Sequence, residues 1–268
     1  MTTLVYDGTF EGLLSAVFDQ YYYKFDAPQV VKETDFQQNI FAQHHTVITH
    51  AAHSGRVWEG LKKTLSNEAT EQLYQTFLSE LPGIENTLLQ YIQYAFDSAA
   101  SIETNYSHPA VLTVQQTAKK VWREKHRMEA FVRFQQTADK LYYALIEPDY
   151  DVLPLITPHF KTRYQDQLWL IYDSKRQYGI YYDGAEVTQV RMSFSEEAGT
   201  TGKNIKAVYD EKEEMYQQLW QLYFKSVNIP ARKNTKLHLQ HMPARYWKYL
   251  PEKKPNTMQP ARVTGGRP

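Results

Sequence analysis

At 268 residues, with 42% hydrophobic content and no net charge, the chain has room for one large domain or two small ones and for a proper core. It contains no cysteine, which excludes a disulfide framework, a thiolate zinc site, an iron–sulfur cluster held by this chain and a cysteine nucleophile. No basic stretch precedes an apolar one at the N-terminus and no apolar run reaches the roughly eighteen residues of a membrane span, so a soluble, cytoplasmic protein with no membrane partner is expected.

Val5-Tyr6, Asp7-Gly8 and residues 9–18 predict a strand, a turn and a helix in succession. Thr9 suits the N-cap and Glu11 the first turn, while Leu13, Leu14, Val17, Phe18 and Tyr21 form an apolar stripe. Pro28 is expected to end that helix, and Val30-Val31 and residues 46–49 predict short strands. Residues 54–100 read as helical. Ser54 is the expected cap of a helix through Val57, Trp58, Leu61 and Leu65, and Asn67 that of a second carrying Leu73, Phe77, Leu78 and Leu81. Pro82-Gly83 breaks the pattern before a third helix with Leu88, Tyr91, Ile92, Ala95 and Phe96. Residues 111–126 predict another, with Lys119, Lys120, Arg123 and Lys125 on its polar side.

From Met128 the hydrophobic period turns to two, predicting strands over 128–134, 140–146, 168–172, 178–182 and 186–192. A short helix is expected over 151–164, Asp183-Gly184 signals a hairpin, and residues 173–177 suit a longer turn. Residues 210–227 read as a last amphipathic helix, and from about Pro251 the Pro, Gly and Lys content suggests disorder. The fold class is α+β, with a helical N-terminal half and a mostly antiparallel sheet with flanking helices in the C-terminal half. The expected divisions are a mainly helical region over 1–126, a β-rich region over 127–250 and a disordered tail over 251–268.

Charge is strongly segregated. Residues 225–268 hold ten Lys and Arg against one acid, Glu252, so residues 1–224 carry −9 and this segment +9. A neutral protein gains no solubility from such segregation, whereas a basic segment set with aromatics can neutralise phosphates and offer flat faces to bases. The twenty-one tyrosines suit strand packing, or a working aromatic surface.

No GxSxG elbow, P-loop, HExxH or GxGxxG occurs, so catalytic residues are not assigned. His44, His45, His50 and His53 are close in sequence, but the nearest carboxylates are Asp35 and Glu59. Exposed or capping histidines are expected there, with no metal and no cofactor. Arg127, Arg133, Arg163, Lys175 and Arg176 recur among tyrosines in the β region. On a strand Phe131 and Arg133 share a side, so one sheet face would present cations beside aromatics, or would make ordinary salt bridges to Asp149, Asp151, Asp166 and Asp173. Residues 228–252 are denser: Arg232, Lys233, Lys236, His238, Arg245, Trp247 and Lys248 suit contacts to nucleic acid. Leu237, Leu239, Met242, Tyr246, Trp247 and Leu250 are apolar enough to fold the segment back, with Trp247 expected to be buried. Nucleic-acid contact, protein docking and a structural tail remain the alternatives.

Four ordered motifs, Val5-Tyr-Asp-Gly-Thr-Phe-Glu-Gly-Leu-Leu14, His126-Arg-Met-Glu-Ala-Phe-Val-Arg-Phe134, His159-Phe-Lys-Thr-Arg163 with Trp169-Leu-Ile-Tyr-Asp-Ser-Lys-Arg176, and His241-Met-Pro-Ala-Arg-Tyr-Trp-Lys-Tyr-Leu-Pro-Glu252, make the chain resemble the bacterial "probable DNA metabolism protein" family of unassigned activity. The resemblance implies a pairing with a radical-SAM DNA repair protein and, in some members, fusion to a uracil-DNA glycosylase-like domain. No glycosylase motif is present in this chain, so that activity would come from a separate protein. The leading expectation is a DNA-associated accessory protein acting with a radical-SAM partner in DNA repair or base modification. The alternatives are an enzyme on a nucleobase or nucleotide, using His126, His159, Asp173 or His241 for acid–base work, and a protein-docking scaffold.

Overall fold

The computed structural model describes residues 2–37, 43–136, 140–191 and 242–251. The chain divides into two compact units, one of Met1–His126 with Asp149–Val152 and the other of Arg127–Pro148 with Leu153–Pro268. The predicted helix over 210–227, the segment carrying Arg232, Lys233, Lys236, His238 and His241, and the tail from Glu252 onward lie outside the described residues.

In the first unit, strands β1 (Thr3–Tyr6), β2 (Gln29–Lys32) and β3 (His44–Thr46) form a parallel sheet in the order β2-β1-β3. Parallel neighbours need crossovers, and the helix α1 (Phe10–Tyr23) supplies the one between β1 and β2. Helices α2 (Ala51–Thr64), α3 (Asn67–Phe77), α4 (Ile84–Asp97) and α5 (Pro109–Phe131) follow, α5 belonging to this unit as far as His126. Leu4, Tyr6, Leu13, Val17, Val30, Leu61, Leu73, Leu88, Ile92 and Val114 share one core. The β2 backbone is closed by Asn86, whose side-chain oxygen accepts from Val30 N at 2.9 Å and whose amide donates to Val30 O at 3.2 Å. A side chain from α4 thus stands in for a further strand.

Local chemistry sets the helix starts. Thr9 caps α1 as its sequence predicts, accepting from Gly12 N at 2.9 Å. Two other caps differ from expectation. His50, not Ser54, caps α2, its Nδ1 accepting from Ala52 N at 3.2 Å, while Ser54 lies buried and bonds back to Ala51 O. Ser66, not Asn67, caps α3, and Glu103 in turn accepts from Ser66 N at 2.7 Å and Ser66 Oγ at 2.9 Å.

The second unit holds a five-stranded sheet, β4 (Gln135–Gln136), β5 (Tyr142–Ile146), β6 (Trp169–Asp173), β7 (Tyr178–Tyr182) and β8 (Val187–Val190), in chain order across the sheet. Three neighbouring pairs are antiparallel; β5 and β6 are parallel because helix α6 (Leu153–Arg163) lies between them in the chain. The architecture is therefore α+β with a mostly antiparallel second sheet. Gly184 takes a φ of 95° in the β7–β8 hairpin, with Asp183 Oδ1 accepting from Ala185 N and Glu186 N, as Asp-Gly turn chemistry requires. Behind the sheet, Trp169 packs against Tyr182 at 5.4 Å and Phe160 at 6.2 Å between ring centroids.

One element departs clearly from the sequence pattern. Residues 128–131 continue α5 and are not a strand. The buried positions Val114, Ala118, Val121 and Met128 keep a spacing that suits one helix face, and the alternation from Phe131 to Phe134 is overridden by that burial. Arg133 then closes the helix end, NH1 donating to Ala130 O at 2.7 Å and Val132 O at 3.3 Å.

Candidate nucleic-acid interface

The described part of the basic segment is a 3-10 turn, Ala244–Tyr249, seated where the parallel strands β5 and β6 end. Its apolar contribution comes from Tyr246, 2% exposed and 5.9 Å from the Phe131 ring, and from Leu250, fully buried. Trp247, expected as the anchor, is only half-buried, its indole N–H donating to Met242 O at 3.1 Å.

The polar contribution gathers on Glu147, the residue after β5. Its Oε2 accepts from Lys248 Nζ at 2.5 Å and from the Tyr249 hydroxyl at 2.6 Å, with Ser174 Oγ at 3.4 Å. Ser174, the residue after β6, also lies 3.3 Å from the Tyr249 hydroxyl and donates to Ile146 O. The Lys248 ammonium, followed by the Tyr249 hydroxyl, holds the Glu147 carboxyl below its ordinary range. Glu147 conversely raises Lys248, while Tyr249 is raised first by burial and then by its bond to Glu147. Through neutral pH the carboxylate stays charged, the amine protonated and the phenol neutral. That arrangement clamps the segment against the ends of β5 and β6.

Beside it Asp173 is fully buried. Its Oδ1 accepts from Lys175 N at 2.8 Å and Arg176 N at 3.2 Å, and its Oδ2 from Arg176 NH1 at 2.8 Å. Arg176 NH1 also donates to Pro148 O at 3.2 Å. The Asp173 carboxylate thus builds the β6–β7 turn.

None of the five cations expected on a sheet face stands on a strand. Arg127 lies in α5, Arg133 at its end, Arg163 in α6 with its guanidinium 5.9 Å from the Tyr164 ring, and Lys175 and Arg176 in the β6–β7 turn. The alternation that suggested a cation-bearing face was helix end and turn, where side chains do not alternate. Lys175 and Arg176 follow Ser174 in the β6–β7 turn, and the Arg176 guanidinium is taken up by the buried Asp173 carboxylate and Pro148 O, so it does not stand out as a surface cation. Arg245 stacks over Tyr246, 4.5 Å from the ring centroid. Sequence reading missed Glu147, Ser174 and Tyr249, whose common feature is position: each follows a strand or ends the turn. Of the proposed acid–base groups, His126 belongs to the first unit and His159 and Asp173 to the second, with His159 packed edge-on against Phe160.

The clustered histidines take several partners, although the His50 and His53 rings also lie 4.7 Å apart. His45 Nε2 lies 2.8 Å from Asp19 Oδ2, His50 caps α2, and His53 stacks on Phe18 at 3.9 Å. Among the described residues no group of three or more His, Asp or Glu side chains is arranged to hold a metal ion. A second polar knot closes the β1–α1 turn: Asp7 accepts from Thr9 N, Thr9 Oγ1 and Thr49 Oγ1 at 2.7–2.9 Å. Burial pushes the Asp7 carboxyl up, but these donors outweigh it and leave it below its ordinary value. Gly12 is required there, since a Cβ would stand 2.2 Å from Asp7 Oδ1.

Residues 82–252 match the family described as a domain of unknown function, DUF4130. The match takes in α4 through the 3-10 turn and leaves the Val5–Leu14 motif ahead of it. No curated protein matches the chain. A solved structure titled "pGpG-specific phosphodiesterase - PggH from Vibrio cholrae" aligns over 85% of this chain and 99% of that one, at 14% identity and a TM-score of 0.33. Likeness at that level carries neither fold nor activity across. Among the described residues no helix is long and apolar enough to cross a membrane.

Proposed function

The chain belongs to the DUF4130 family, of unknown function, and from that premise we propose that it is a DNA-associated accessory protein of a repair or base-modification system. Its partner in this reading is a radical-SAM DNA repair protein, with a uracil-DNA glycosylase-like protein as a further associate. The iron–sulfur cluster of the radical chemistry would belong to the partner, since this chain has no cysteine to hold one. The observation that carries the reading is the +9 segment of residues 225–268 together with its anchoring through Tyr246 and Leu250. A merely solvating tail has no need of buried anchors, whereas a phosphate-binding one gains from being held in place. The clamp on Glu147 helps hold the 3-10 turn in place, and because it occupies Lys248 the phosphate contacts in this reading fall to the other cations of the segment.

The test is DNA binding by the purified chain as a function of salt. Affinity should fall linearly on logarithmic axes, with a slope of about −0.9 per phosphate neutralised on duplex and about −0.7 on single strands. Replacing Arg232, Lys233 and Lys236 together by Ala should weaken binding and flatten that slope, and the radical-SAM protein should co-purify with the chain. Absence of DNA binding at low salt would refute the proposal. Base release or nucleotide hydrolysis by the chain alone, abolished in His159→Ala, would replace it with the enzyme reading.

A further inference from the structure

Helix α5 buries Val114, Thr117, Ala118, Val121 and Glu124 on one side. Lys119, Trp122, Arg123 and His126 recur at i, i+3, i+4 and i+7, so they share the opposite face. Trp122 is 50% exposed, and its ring lies parallel to that of His126 at 3° and 5.6 Å. A lone exposed tryptophan needs no explanation, but this one sits in a charge anomaly. Residues 1–118 contain thirteen acids and five Lys or Arg, whereas residues 119–127 contain Lys119, Lys120, Arg123, Lys125 and Arg127 with Glu124 the one acid. Glu124 is turned inward, 1% exposed, where its carboxylate accepts from Asp149 N at 2.9 Å. The outward charge of this stretch is therefore wholly positive, on a part of the chain that is otherwise acidic. Lys119, Lys120 and Arg123 take part in none of the ion pairs formed among the described residues. Arg123 Nε donates to Lys119 O, which lays the guanidinium stem along the helix.

We propose that this face of α5 is a contact surface for single-stranded DNA, with Trp122, backed by His126, stacking on an unpaired base and Lys119 and Arg123 holding the flanking phosphates. The charge of the face complements a polyanion, and its aromatic ring suits the flat face of a base. Duplex bases cover one another's faces, so an indole on a helix flank selects unpaired ones. The proposal rests on the DNA-associated reading above and adds to it a surface separate from the C-terminal basic segment and a preference for single strands.

The experiment measures fluorescence anisotropy of a labelled twenty-residue oligo-dT and of a labelled hairpin duplex with the full-length chain at low salt. Four proteins are compared: wild type, Trp122→Ala, Trp122→Phe, and Lys119→Glu with Arg123→Glu. Trp122→Ala should weaken oligo-dT binding at least about fivefold, the lower end for loss of one base–aromatic stack. Trp122→Phe should recover most of it, duplex affinity should be unchanged in both, and the charge-reversed pair should bind neither strand form as wild type does. Because Trp122 is half in water, its substitution should leave the melting temperature in place, and that is measured alongside. Wild-type affinity of Trp122→Ala for oligo-dT, in a chain that still binds DNA, would overturn this inference and leave the previous reading intact. No binding of any DNA by wild type would overturn both. Loss of an acidic protein partner by the charge-reversed pair, with oligo-dT binding retained, would show that the face docks protein instead.

Discussion

Replacing Asp173 by Ala separates a structural carboxylate from a catalytic one. Asp173 is fully buried and Arg176 nearly so, and the substitution removes the acceptor of three hydrogen bonds, two from the backbone and one from the guanidinium. Breaking one side of a buried ion pair costs about 3–5 kcal/mol, because the remaining charge stays buried without its counter-ion. For a chain of this size each kcal/mol moves the melting temperature by roughly 2–4 °C, so the loss should be on the order of 10 °C. The readout is thermal and urea unfolding followed by far-ultraviolet circular dichroism, with tryptophan emission as a second probe. Replacing Arg176 by Met in the Asp173→Ala background should restore part of the lost stability, since it removes the stranded cation. A loss below about 1 kcal/mol in Asp173→Ala, or no recovery in the double variant, would refute the structural role and return Asp173 to the candidate acid–base groups.

Two further outcomes follow from the polar knots. Gly12→Ala should destabilise the first unit by about 1–3 kcal/mol, despite the roughly 1 kcal/mol that Ala gains over Gly within a helix; the added Cβ would meet Asp7 Oδ1 at 2.2 Å, Thr49 Oγ1 at 2.9 Å and Thr9 Oγ1 at 3.0 Å. Urea denaturation measures it, and a stabilised Gly12→Ala protein would mean that the Asp7 turn is not held this tightly. The Glu147 clamp should depend on pH in a defined sense: a carboxyl lowered on folding contributes above its unfolded value near 4.5 and loses that contribution as pH falls through its lower folded value. The raised Lys248 contributes fully below 10.5 and loses its share as pH rises through its folded value. With the side chains of Lys248 and Glu147 54% and 41% exposed, solvent screening keeps the effect to about 0.5 kcal/mol. Protection factors of the amides in residues 244–250, corrected for the intrinsic slowing of exchange in acid, should therefore fall about twofold on acidification in wild type and stay level in Glu147→Gln; parallel protection profiles in the two would sink the assignment.

The amino-acid sequence by itself determined the α+β class, the Thr9 cap, the 178–182 strand and the Asp183-Gly184 hairpin, because each depends on chemistry spanning a few neighbouring residues. It also marked Lys175, Arg176, Arg245 and Lys248 as candidates from charge alone, and it gave no sign that Arg176 would be committed to Asp173 and Lys248 to Glu147. Where long-range burial competes with local pattern, the tertiary structure decided. Met128 is buried, so α5 runs to Phe131 through residues whose alternation reads as a strand, and the cations assigned to a sheet face fall on helices and a turn. Tyr246 and Leu250 take the buried positions and Trp247 does not, a matter of which side of a 3-10 turn meets the sheet. Glu147 meets Lys248 and Tyr249 across 101 and 102 residues of chain. No local propensity encodes such a meeting; it exists because the parallel pairing of β5 and β6 brings Glu147 and Ser174 to one edge, and the burial of Leu250 holds the turn against it.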